Sequence, residues 1–202
     1  MSKAEEPIGR VLRASTSGFA AGTRLSQLDA PAFGAVVKVE PRSETREVVY
    51  GLLYNIRMDD DPMVRQMVLA DSVSEEMIRD QHHHRLVPVE MGVLAVGYRG
   101  FDGVIRHVLP PRPPLSLDPV YLCPAGELLE FVSRFDYFRM VLGTSQVPGE
   151  QLLAANLLIA AGALPTPEEQ YEFLVRAGHE AARLLNNDIS SLDNLLRLIY
   201  PS

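Results

Sequence analysis

The chain has 202 residues, of which 47% are apolar and 22% charged, with a formal net charge of −7 and one cysteine. This apolar share excludes a disordered chain, and the length permits one large core or two small ones. The negative charge argues against direct nucleic-acid binding, which draws most of its affinity from phosphate neutralisation. The lone Cys123 excludes an intrachain disulfide and a cysteine-rich metal site, which fits a reducing, cytoplasmic setting.

The N-terminal "MSKAEEP" lacks the apolar core of a secretory signal. The longest apolar stretch, 152–164, is interrupted by Asn156. It falls short of the ~20 residues that span a bilayer, so it reads as a buried helix and no membrane association is expected.

The first half reads as β. "IGRVLRA", "GAVVKVEP", "REVVYGLLYNIRM" and "MGVLAVGYRG" alternate or run apolar at strand length. Gly51 interrupts the third of these, where a glycine marks a bulge or bend of the kind that closes small barrels. Asp102-Gly103 predicts a type I′ hairpin turn, pairing 92–101 with 103–109. A short helix is expected near 74–84, as an insertion between strands. "PPRPPLSLDPVYLCP" holds six prolines that cannot donate to a ladder, and reads as an extended connector.

The second half reads as α. Leu128, Phe131, Val132, Phe135, Phe138 and Leu142 fall on one helical face. "PGEQLLAANLLIAAGAL" follows as a second, Ala/Leu-rich helix. Thr166, Pro167 and Glu169 then form a capping-box signature with proline at the first helical position. The helix they open has Tyr171, Leu174, Ala181 and Leu185 on its apolar face. A last helix starts near Ser190, its expected cap. The fold class is therefore α+β. A small N-terminal antiparallel β-barrel with a helical insertion (1–114) precedes a bundle of about four helices (115–202).

Few residues point to chemistry. The only lysines, Lys3 and Lys38, do not follow a glycine, so no Walker A loop is present. No catalytic motif is found, the chain reads as a non-enzyme, and no cofactor is expected. Within "HHH", His82 and His84 would share a face only on a strand, and are candidate metal ligands without a third partner. Asp59 to Asp61 and Asp71 lack the spacing of a calcium loop. Arg79, Arg85, Arg99, Arg106 and Arg112 gather near the end of the β half, as a candidate basic patch.

Gly9, Val11, Ser15 and Thr16 are followed by Gly34, Val37 and Val39, and then by Val49, Gly51 and Leu53. This succession resembles the HAS-barrel family, named for its occurrence in HerA-type ATPases and ATP synthases. The likeness covers about 8–114. It implies a barrel that helps assemble a ring and offers a docking surface to a motor. The motor itself is missing, since a proline-rich segment and helices stand where it would begin. The resemblance thus implies a stand-alone, non-catalytic adaptor, with a HerA-like DNA-translocating ATPase on another chain as its partner. The helices would supply a second contact surface or a homo-oligomer interface. The alternative is a small-molecule or nucleotide-binding module, holding an anion between barrel and helices against Arg99, Arg106 and Arg112.

Overall fold

The computed structural model describes residues 6–25, 31–41, 47–58, 69, 74–76 and 87–200. Among the described residues seven strands come first: β1 (Gly9–Ser15), β2 (Gly18–Leu25), β3 (Val36–Val39), β4 (Val48–Met58), β5 (Val87–Arg99), β6 (Ile105–Arg106) and β7 (Pro119–Leu122). After β7 the chain forms α1 (Ala125–Phe131), α2 (Phe138–Leu142), α3 (Gly149–Gly162), α4 (Pro167–Leu184) and α5 (Ile189–Ile199). Six strands close an antiparallel barrel in the order β1-β2-β5-β4-β3-β7, and β6 adds to β5 outside it.

Side-chain alternation along β3, β4 and β5 builds two cores on the two faces of one wall. Val37, Leu53, Met91 and Val93 point inward, where they meet Val11 and Phe19 and fill the barrel. Val36, Tyr50, Leu52 and Val96 point outward and pack against Phe131, Tyr137, Leu153 and Leu157 of the helical half. A strand buried on both faces carries a near-continuous apolar run, as "VVYGLLY" does. A barrel this narrow is packed with side chains and leaves no lumen for a ligand.

The structure departs from the sequence-based expectations at several points. Only Tyr98↔Arg106 and Arg99↔Ile105 pair in the predicted hairpin, because residues 87–94 of β5 pair with β2 instead. The barrel's closing strand is β7, inside the proline-rich segment. Its proline is the first residue, where no ladder donor is lost from the strand interior. A bulge does lie beside Gly51, with Val96 the extra residue on β5. Space rather than positive φ requires the glycine there: a Cβ would stand 2.3 Å from a Val93 methyl.

The expected single helix over Leu128 to Leu142 is two helices, α1 and α2. The Ser133 hydroxyl donates to the Glu130 carbonyl at 2.7 Å, competing with the helical ladder where α1 ends. In α4 the capping box forms as predicted. Its buried face is Phe173, Ala177, Gly178 and Ala181, whereas Tyr171 is exposed. Asp188, not Ser190, caps α5, accepting from the Ser191 amide at 3.1 Å. Most of the insertion near 74–84 lies outside the described residues, as do His82, His84, Asp59 to Asp61, Asp71, Arg79 and Arg85. Among the described residues no helix is long and apolar enough to cross a membrane.

Candidate docking surface

Beyond the end of β2, the edge of β5 is taken over by β6. Among the described strands β6 alone has a neighbour on one side only. Its hairpin is closed by a three-residue loop, Phe101 to Gly103, rather than the predicted two-residue turn. The Gly103 amide donates to the Gly100 carbonyl at 2.9 Å, and the Gly100 amide to Val104 at 3.2 Å. Gly103 alone is left-handed, at φ 76°, as in a type I turn followed by a bulge glycine. Asp102 fixes the loop by accepting from the Val104 amide and pairing with Arg106. The side chain left over is Phe101, 67% exposed, with Val104, Val108 and Leu109 exposed in the same segment.

The base of this hairpin is held rigidly. Arg99 Nε donates to the Tyr50 hydroxyl at 2.9 Å, and its NH2 group pairs with Glu130 at 2.9 Å. The Tyr50 hydroxyl donates to Glu127 Oε1 at 2.5 Å, and the other Glu127 oxygen is 2.7 Å from Lys38 Nζ. Lys38 also pairs with Glu40 at 2.7 Å. Burial works against the charged forms of Lys38, Arg99 and Glu127, but mutual hydrogen bonds outweigh it. The Lys38 and Arg99 pKa values are raised and that of Glu127 is lowered, so all three stay ionised. Burial, reinforced by the bond to Glu127, raises the Tyr50 hydroxyl and keeps it neutral.

On the far side of β6, His107 is clamped between rings. Its imidazole meets Phe131 edge-on at 4.6 Å and Tyr137 at 5.2 Å. Nδ1 lies 4.0 Å from Asp136, and the buried Nε2 has no hydrogen-bond partner among the described residues. Burial lowers the His107 pKa, only partly opposed by Asp136.

The structure thus brings Arg99 and Arg106 together on one hairpin, each already engaged by acids of the same chain. Arg106 also lies over the Tyr98 ring, 6.0 Å from its centroid. Arg112 is exposed elsewhere and borders a small hollow with Asp118 and Glu47. Phe101, Val104, Tyr50 and Glu127 escaped the sequence reading. An aromatic inside the turn "GFDG" is the one signal that could have revealed the tip. Cys123 is half-buried, its amide donating to the Val36 carbonyl at 3.0 Å. No cluster of His, Cys, Asp and Glu among the described residues could hold a metal ion.

A cleft of about 670 Å³ does open between barrel and helical half. Arg13, Ser15, Ser17, Tyr54, Glu90 and Thr144 line it, and Arg99, Arg106 and Arg112 do not. Arg13, its cation, is paired with Glu90 at 2.5 Å. In comparisons with known proteins, no family model matches the chain and no curated protein matches it.

Proposed function

We propose that this chain is a non-catalytic docking protein whose β5–β6 hairpin binds a protein partner. One observation carries the reading: a hairpin with a hydrogen-bonded base presents an exposed Phe101 beside a strand edge that no described strand pairs. An aromatic anchor next to open backbone donors and acceptors suits strand addition or insertion into an apolar pocket. The resemblance of the N-terminal strands gives the partner's class, a HerA-like DNA-translocating ATPase on a separate chain. The tagged protein, purified from its own cells at low salt, should carry such an ATPase. Phe101→Asp should remove it, at a cost of about 2 kcal/mol or roughly thirtyfold in affinity. A wild-type eluate without any ATPase or nuclease would overturn the reading.

A second reading, a small-molecule or nucleotide-binding module, is supported by the cleft between barrel and helices. It rests on the hydroxyl-lined walls of that cleft, not on the three arginines first singled out. A rise in melting temperature with ATP or ADP would favour it, since a ligand that binds only the folded state stabilises it.

A further inference from the structure

Leu117 is the one non-glycine residue with positive φ among the described residues, at 71°. It occupies the third position of a turn closed by the Asp118 amide donating to the Leu115 carbonyl at 3.1 Å. Glycine or asparagine suits such a position, because a Cβ crowds the backbone there. The turn is nonetheless firmly held. The buried Asp118 carboxylate accepts from the Leu115 amide at 2.9 Å, Arg10 donates to the Leu117 carbonyl at 3.1 Å, and the Leu117 amide donates to Val11 at 2.8 Å. Yet the Leu117 side chain is 68% exposed. Packing within the chain does not explain a leucine in this strained conformation.

A complementary surface lies on the helical half. A groove of about 400 Å³ runs between α1 and α4, floored by Leu129, Val132, Leu164 and Phe173. Glu169 and Glu172 stand at its rim. Glu169 is held by the capping box, and Glu172 is exposed one turn further along α4. Arg176, the one cation among the described lining residues, lies over the Phe135 ring at 5.8 Å. The groove is therefore apolar with an acidic lip, and the Leu117 turn is apolar with Arg10 beside it.

We propose that the Leu117 turn of one copy seats in the α1–α4 groove of a second copy, with Arg10 facing Glu172. Two unlike surfaces meet in each contact, so it either closes reciprocally about a two-fold axis or repeats head-to-tail into a ring or a filament. This contact stands apart from hairpin docking and needs no motor.

Sedimentation velocity of the purified full chain, run as a concentration series, tests it. The wild type should sediment as a dimer or larger species as concentration rises. Leu117→Asn accepts the left-handed conformation but removes the apolar knob, so it should remain monomeric without a drop in melting temperature. Arg10→Glu and Glu172→Arg should each weaken association about tenfold through like-charge repulsion, and the double variant should restore it. A wild type that stays monomeric throughout would overturn the proposal. So would association that survives Leu117→Asn, or charge reversals that fail to rescue each other.

Discussion

The Lys38 ammonium lies 2.7 Å from the Glu127 carboxylate, across the seam between the barrel wall and the first helix. Lys38 is only 8% exposed at its side chain, and Glu127 17%. Glu127→Ala would take one of two carboxylates from the buried Lys38 ammonium, which keeps Glu40, and the acceptor from the buried Tyr50 hydroxyl. The expected loss is about 3 kcal/mol, read as a shift in the urea unfolding midpoint. Replacing both partners with apolar residues of similar size should cost far less. A loss in Glu127→Ala below about 1 kcal/mol would mean that water reaches Lys38 and the clamp is not dry.

Asn156 joins the two halves in a second place. Its side-chain amide donates to the Gly34 carbonyl at 3.1 Å, and its oxygen accepts from the Tyr137 hydroxyl at 2.8 Å. All three residues are buried. Asn156→Leu keeps the branched shape but strands one acceptor and one donor. It should lower stability by about 2–4 kcal/mol, with Tyr137→Phe costing nearer 1. Calorimetric melting of the two variants would check the order, and equal losses would contradict it.

His107 makes stability depend on pH with a definite sign. Its pKa in the folded state is lowered by burial, so near pH 6 the unfolded chain binds more protons than the folded one. The stabilisation is fully present above the unfolded value of about 6.5 and is lost as pH falls through the folded value. Between about pH 7.5 and about pH 5 the wild type should lose more stability than His107→Phe. Parallel denaturation curves for the two proteins across that interval would refute the assignment.

Thr166 accepts from the Glu169 amide at 3.2 Å, and the Glu169 carboxylate accepts from the Thr166 amide at 3.2 Å. Thr166→Ala should cost ~1 kcal/mol, and Thr166→Ser should recover most of it. Hydrogen exchange at the first turn of α4 is the direct readout. Unchanged protection in Thr166→Ala would show that the cap contributes nothing.

Local chemistry made much of this fold readable. The doubly buried strands β3 to β5 declared themselves through β-branched and apolar runs. The capping box of α4 was legible because all its partners lie within four residues. What failed to show depended on distant neighbours. Strand β7 hides among prolines, and only its pairing with β1 and β3 makes it a strand. The break between α1 and α2 preserves helical spacing on both sides, so periodicity passes over it unmarked. Asp188 and Ser190 are both good caps, and sequence does not rank them. The seam of Lys38, Tyr50, Arg99 and Glu127 joins four elements up to 89 residues apart, beyond the reach of any local pattern.

The wall built from β3, β4 and β5 serves two cores at once, and this governs how the molecule can be divided. A fragment cut after β7 would keep every barrel strand yet turn Val36, Tyr50, Leu52 and Val96 out to water. Such a piece would aggregate, and the helices without the barrel would have no floor on which to pack. Heating should therefore melt both halves in one concerted step, with far-UV and tyrosine near-UV signals falling together. A single transition would make the barrel one face of a cooperative unit rather than a module that can pass freely between proteins.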